Sequence, residues 1–209
     1  MYEKYIKRIL DLLAASCGVV LLFVPGLIIA VAIKLGSRGP VIFKQLRYGK
    51  DRKPFTVYKF RTMSTEAPSN MATNSFKSAG NYITRSGKIM RKLSIDELPQ
   101  LINVIRGEMS IVGPRPVVLA ETSLIKLREK YNANSIKPGI TGWAQVNGRD
   151  ELDDAMKARM DGEYVKRFGI RTDTKILFMT IGAVLSLSGH AEGHEQDSTQ
   201  VATSGGSNG

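Results

Sequence analysis

Twenty-two consecutive residues without a charge, Leu12 to Ile33, constrain this chain more than any other feature. At about 1.5 Å rise per residue, a helix of that length reaches roughly 33 Å, about the thickness of a bilayer's hydrocarbon core. A secretory signal does not fit, because the run exceeds the usual ~7–15 apolar residues and no small-x-small cleavage site follows it. Pro25-Gly26 lies inside the run, where the absent N–H and the clash of the ring with the preceding turn predict a bend. A kinked spanning helix tolerates proline too, so the flanks are needed to discriminate. Lys4, Lys7 and Arg8 precede the run, and Lys34, Arg38, Lys44 and Arg47 follow it. Positive residues mark the cytoplasmic side, and here they stand at both ends. A central break between two such flanks favours a re-entrant helix over residues 1–36, entering and leaving by one face with its break at Pro25.

The remainder reads as a domain with a real core, since 43% hydrophobic and 23% charged residues is too apolar for a disordered chain. Lys and Arg number 30 against 19 Asp and Glu, and three of the acids lie in the polar stretch 188–209, which has no base. Residues 1–187 therefore carry 30 basic against 16 acidic side chains, a surplus of 14 that calls for anionic partners: nucleic acid, an anionic membrane face or phosphorylated substrates. Both histidines, His190 and His194, fall in the tail, which excludes imidazole catalysis and His-bound zinc from the body. The single Cys17 excludes disulfides, Cys-rich zinc sites and iron–sulfur clusters. Chemistry is left to carboxylates, Lys, Arg, Tyr, Ser, Thr and a hard oxygen-bound cation.

The pattern predicts an α+β, mainly α, domain over residues 37–187. Val41 to Gln45 and Phe55 to Phe60 read as a β-hairpin around Gly49 and Pro54. Ser64 to Ser86 reads as a long loop. Leu98, Leu101, Ile102 and Ile105 have helical spacing, with Pro99 suited to a first turn and Gly107 to a C-cap. A second helix is predicted from Val117 to Tyr131. The breakers in K-P-G-I-T-G-W-A-Q-V-N-G-R, Lys137 to Arg149, require a structured loop. Leu152, Met156, Met160, Tyr164 and Phe168 form an i, i+4 stripe, and Ile176 to Leu187 is an apolar segment opened by Asp173 as N-cap. That segment is too short to span a bilayer and is placed in the core ahead of the interface. Residues 188–209 read as a disordered polar tail.

Three constellations carry candidate chemistry. Asp96 and Glu97 are the only acids between Glu66 and Glu108, in a field of basic residues. Ser94 and Glu97 have capping-box spacing, so from local sequence alone a helix start is the favoured account of them. In Gly113-Pro114-Arg115-Pro116, two prolines restrict the backbone on either side of one guanidinium, which suits an anion receptor, or simply a turn feeding a helix. In the third, Gly139, Gly142 and Gly148 let backbone N–H groups approach an anion, with Lys137 and Arg149 supplying charge. Trp143 is read as a stacking platform or, more commonly, a core anchor. Lys59 and Arg61 complete a ring of cations. No GxxxxGK[ST] or GxGxxG loop is present. These residue classes point to phosphate chemistry at a membrane, with carboxylates suited to Mg²⁺ and cations to a diphosphate.

Five strings in order also resemble a known family: the basic N-terminus with its proline-broken apolar segment, Y-K-F-R-T-M at Tyr58 to Met63, L-S-I-D-E-L-P-Q-L-I-N-V at Leu93 to Val104, G-E-M-S-I-V-G-P-R-P at Gly107 to Pro116, and the Lys137 to Arg149 loop. The chain thereby resembles the small monotopic phosphoglycosyl transferases, the bacterial sugar transferase family, over about residues 1–187. The resemblance implies a monotopic protein on the cytoplasmic face of a bacterial inner membrane, with a re-entrant helix and amphipathic interfacial helices. It implies transfer of a sugar-1-phosphate from a nucleotide diphosphate sugar, usually a UDP-sugar, to polyprenol phosphate, with release of UMP and Mg²⁺ as cofactor. The product would initiate glycoconjugate or polysaccharide assembly for downstream glycosyltransferases. Asp96 is implied to be the nucleophile and metal contact and Glu97 its dyad partner, with Lys59, Arg115, Lys137 and Arg149 as phosphate or nucleotide contacts; Arg61 joins them as a substrate-binding candidate from its place in the cation ring. Two positions depart from the family: Val24 stands where a serine usually precedes the proline, and Lys137 where many members have arginine. The rival readings are a basic membrane-anchored protein that binds anions, lipid or nucleic acid without catalysis, and a structural subunit of an export complex. Under the enzyme reading no nucleic-acid partner is expected.

Overall fold

The computed structural model describes residues 2–67, 79–148 and 152–185. The fold is mainly helical with a small sheet, as the pattern predicts, and it opens with a bent helix pair. A π-helical turn, Tyr2–Ile6, runs into α1 (Lys7–Leu21), and α2 (Phe23–Gly36) follows after a break at Leu22, with the two segments bent by 59°. The break falls three residues before Pro25, which sits in the first turn of α2. The cause is the missing Pro25 N–H, whose partner would have been the Leu21 carbonyl. Among the described residues no single helix is long and apolar enough to cross a membrane, whereas the bent pair together meets that test.

Helix α1 is patterned inside out. Lys7, Asp11 and Ala15, one i, i+4 row, face the protein and are buried, while Leu13, Val20 and Leu21 are 64%, 75% and 70% exposed. Phe23, Val24, Leu27, Ile28 and Val31 of α2 extend the bare apolar surface. Leaving such side chains in water costs roughly 1.5–3 kcal/mol each, so this face needs an apolar cover. The inner face of α1 is fastened to the body: Ala15 packs with Phe55, Val57, Val104 and Met109, and Asp11 accepts from the Ile111 N–H at 3.0 Å.

The hairpin forms as predicted, with β1 (Ile42–Tyr48) antiparallel to β2 (Pro54–Phe60), though Pro54 begins the second strand instead of lying in the loop. A sequence-predicted helix from Val117 is corrected. Val117 and Val118 form β4, pairing with Tyr48 and Arg47, and the helix α5 spans only Thr122–Glu129. Two buried β-branched residues gain more from the sheet edge than from a helical turn. Between these elements lie α3 (Arg85–Lys92), α4 (Gln100–Arg106) and β3 (Ser110–Val112). Gly107 caps α4 at φ +81, the left-handed position expected of it.

The Lys137 to Arg149 loop contains β5 (Gly139–Thr141), parallel to β3, and α6 (Trp143–Val146). Its glycines serve packing. A Cβ on Gly139 would meet the Gly113 nitrogen at 2.1 Å, and one on Gly142 would meet the Gly113 carbonyl oxygen at 2.1 Å. The Gly139 N–H is spent on the Pro114 carbonyl, at 2.9 Å, which corrects its reading as an anion donor. Trp143 acts as a core anchor against the cluster of Val112, Ile136, Tyr164 and Ile176.

Two helices close the fold, α7 (Asp154–Lys166) and α8 (Ile170–Leu185). The stripe on α7 is only partly core: Tyr164 is 1% exposed but Met156 39%. Asp173 lies within α8 and is not its N-cap. Its carboxylate instead accepts from Tyr2 Oη and Lys7 Nζ, each at 2.6 Å, and from Tyr164 Oη at 2.7 Å. Helix α8 divides the two placements weighed for it, with Ile176 in the core and Phe178 and Ile181 exposed. The tail, residues 188–209, lies outside the described residues.

Candidate active site

Strand β2 is an edge strand, and its open side is occupied by a side chain. Asn103 of α4, fully buried, donates from Nδ2 to the Thr56 carbonyl at 2.7 Å and accepts from the Tyr58 N–H at 3.2 Å, as a neighbouring strand would. This amide nails α4 to β2, and the 3-10 turn Ile95–Glu97 just before α4 is thereby set opposite Lys59. No capping box forms there. Ser94 adopts a left-handed conformation, φ +56, and its side chain makes no cap bond, so the capping box is corrected, although both acids stand in the first turn of the 3-10 helix that leads into α4. Asp96 and Glu97 are buried, at 8% and 6% exposed.

Glu97 Oε1 is the hub of the cluster. Lys59 Nζ reaches it at 2.7 Å and Arg115 Nη1 at 3.2 Å, all three side chains being largely buried. Asp96, Glu97, Arg115 and Arg47 are the charges that act on Lys59. Burial lowers Lys59 below the ordinary lysine range, with Glu97 opposing the shift and Arg115 adding to it. Burial and then the neighbouring Arg115 bring Arg47 down to about 10. An acidic pair in a dry ring of cations is matched to a substrate bearing phosphates, because low-dielectric surroundings strengthen each charge contact. The rate is accordingly expected to fall on the alkaline side below the unperturbed lysine value of about 10.4, as the rising pH removes the Lys59 proton. Lys59→Arg, which stays charged, should move that limb upward, and initial rates between about pH 7 and about pH 10 would read it. An unmoved limb would remove Lys59 from this role.

The other sequence candidates are placed differently. Arg61 is 6% exposed and donates from Nη2 to the Ser37 carbonyl and Oγ, both at 2.8 Å, tying the chain leaving α2 to the end of β2. Its Nε and Nη1 are buried with no partner among the described residues. Gly39, φ +118, makes room for it, since a Cβ there would meet Nη1 at 2.1 Å. Lys137 is not brought to the carboxylate pair. The charges acting on it are Arg8, Asp11, Lys50 and Glu3, and burial and Arg8 lower its pKa. Arg149 lies outside the described residues.

Sequence reasoning missed Arg47, Gln45, Arg128, Asp161 and Asn103. The alternation of I-F-K-Q-L-R-Y does place Gln45 and Arg47 on one face of β1, which was the available signal. Arg128 and Asp161 form a buried pair at 2.6 Å between α5 and α7, and nothing local in sequence links them.

The whole of this architecture, residues 2–187, matches the bacterial sugar transferase family. The chain belongs to that family. It is 42% identical to the uncharacterised sugar transferase EpsL of Bacillus subtilis over 191 residues, covering 88% of this chain and 89% of EpsL. It is 44% identical to the UDP-glucose:undecaprenyl-phosphate glucose-1-phosphate transferase of Escherichia coli, covering 86% of this chain and 40% of that protein. The UDP-N-acetylgalactosamine-undecaprenyl-phosphate N-acetylgalactosaminephosphotransferase of Aeromonas hydrophila is 40% identical, with 87% and 44% covered. The chain thus spans nearly all of EpsL but less than half of the other two. Family membership makes this sugar transferase an enzyme, and the non-catalytic binding reading is set aside.

Among the described residues no three His, Cys, Asp or Glu side chains gather as a metal cage. Mg²⁺ does not need one, since it takes one or two carboxylates together with substrate phosphate oxygens. In this sugar transferase the adjacent buried carboxylates of Asp96 and Glu97 are the groups from which such an ion could take a ligand.

Proposed function

We propose that this transferase moves a sugar-1-phosphate from a UDP-sugar to a polyprenol phosphate, releasing UMP, by way of a covalent adduct on Asp96. The observation that carries the reading is the buried Asp96-Glu97 pair with Lys59 and Arg115 converging on Glu97 Oε1. The names of the Escherichia coli and Aeromonas hydrophila relatives supply the donor and acceptor classes. In the first step an Asp96 oxygen attacks the sugar-bearing phosphorus, and the P–O bond to the UMP phosphate breaks. In the second an acceptor phosphate oxygen attacks the same phosphorus and frees Asp96. Lys59 and Arg115 neutralise charge on the transferred phosphoryl group, where most of the catalysis of such reactions resides. Glu97 holds both cations in place. Bound Mg²⁺ would contribute charge neutralisation of the donor diphosphate at Asp96. Arg61, buried and tied to Ser37 at the exit of α2, stays a substrate-binding candidate from the sequence alone. Lys137 remains a candidate only for a part of a substrate remote from the reacting phosphorus, and Arg149 stays a nucleotide candidate from the resemblance.

The bare faces of α1 and α2 support a monotopic arrangement on the cytoplasmic face of the bacterial plasma membrane, with the helix pair entering and leaving by one side and α8 lying at the interface. The bend before Pro25 and the basic residues on both flanks agree with this. The test is a reaction of the solubilised protein with Mg²⁺, a panel of UDP-sugars and polyprenol phosphate, separating the nucleotide products. UMP release that requires the lipid for sustained turnover, with a diphosphate-linked lipid sugar as product, is expected. Release of UDP would indicate simple glycosyl transfer and overturn the reading.

A further inference from the structure

The turn that carries Arg115 is held at three successive carbonyls, each by a different element. Pro114 O accepts from the Gly139 N–H at 2.9 Å, Arg115 O from Arg128 Nη1 at 3.0 Å, and Pro116 O from Arg47 Nη1 at 2.7 Å. The two arginines are themselves fixed. Gln45 Oε1 accepts from Arg47 Nε at 3.0 Å and Nη2 at 2.7 Å. Asp161, 1% exposed, takes Arg128 Nε at 2.7 Å and Nη2 at 2.6 Å. A planar guanidinium anchored along one edge and donating to a carbonyl from another nitrogen is a rigid bracket, which a lysine cannot imitate.

We propose that Arg47 and Arg128 are positioning residues for Arg115: they grip the Pro116 and Arg115 carbonyls so that the Arg115 guanidinium stands on Glu97 before the donor binds. The inference rests on the function proposed above. Its physical content is preorganisation, because a cation that needs no reorganisation at the moment of transfer stabilises the transition state more than a mobile one. Arg47 is also a charge beside Arg115, so its field alone would be a rival explanation.

The test measures single-turnover adduct formation with the donor that the wild-type protein accepts, alongside the thermal midpoint of each variant. Arg47→Lys keeps the charge and loses the bracket; Gln45→Glu keeps the bracket and cancels the charge. Arg47→Lys is expected to slow adduct formation by at least about tenfold, a loss typical of a misplaced catalytic group, with the midpoint little changed. Gln45→Glu should lose clearly less. In an Arg115→Ala background Arg47→Lys should cost less than about twofold, because it acts through the residue already removed. Equal losses in both backgrounds, or a larger loss from Gln45→Glu than from Arg47→Lys, would overturn the proposal. Arg128→Lys is read the same way, and its midpoint separates positioning from damage to the buried pair with Asp161. If the wild-type protein forms no adduct with any donor, the function reading fails, and the same Arg47 and Arg115 cycle is then read on UDP binding. Non-additive binding losses there uphold the positioning role, and additive ones overturn it.

Discussion

Asp96→Asn is expected to abolish the covalent phosphosugar adduct and to cut turnover by at least about a thousandfold, the scale of losing an essential nucleophile. The substitution is nearly isosteric, so the 3-10 turn Ile95–Glu97 and the Asn103 contacts to β2 should survive it. A carboxamide has no anionic oxygen to attack phosphorus at neutral pH, and the acyl phosphate needs a carboxylate. Intact-protein mass after exposure to UDP-sugar and Mg²⁺ reads the result directly: one sugar phosphate added to the wild-type protein and none to the variant. Glu97→Gln should be milder in mass and severe in rate, since it loosens Lys59 and Arg115 without removing the nucleophile. An adduct retained in Asp96→Asn and lost in Glu97→Gln would transfer the nucleophile to Glu97.

Asp173→Ala should destabilise the fold by about 3 to 5 kcal/mol, the cost of leaving one member of a buried ion pair uncompensated. The Asp173 carboxylate is the shared acceptor for Lys7 Nζ, Tyr2 Oη and Tyr164 Oη, joining α8 to α1 and to the core. Burial and then Asp173 raise the Tyr164 pKa, so the phenol stays protonated and keeps donating. A drop in thermal midpoint on the order of 10 °C, measured in lipid nanodiscs, is expected for a domain of this size. The double variant Lys7→Met with Asp173→Leu should recover part of it, because apolar partners need no desolvation of charge. An unchanged midpoint in Asp173→Ala would show that lipid, and not this network, fastens α1 to the body.

Much of the local structure was legible because its causes are local. The bend is a property of proline, the Gly107 cap of a residue without Cβ, and the hairpin of β-prone runs around a turn. The predicted helix from Val117 failed because pairing with Arg47 and Tyr48 is a contact seventy residues away in sequence. The capping box failed for a similar reason. Ser94 takes a left-handed conformation that turns Asp96 and Glu97 inward, where Lys59 repays part of their burial.

The sequence by itself determined the apolar run, its break, the basic surplus and the absence of histidine from the body, and through five ordered strings it determined the family. These depend on residue type and near spacing, which survive without coordinates. Only the tertiary structure decided which cations meet the carboxylate pair. It brought Lys59 and Arg115 onto Glu97, left Lys137 beside Arg8, and built the brackets of Arg47 and Arg128 around the Arg115 turn. Charge–charge attraction is set by distance and burial, and strand pairing and helix packing alone fix those for residues far apart in the chain.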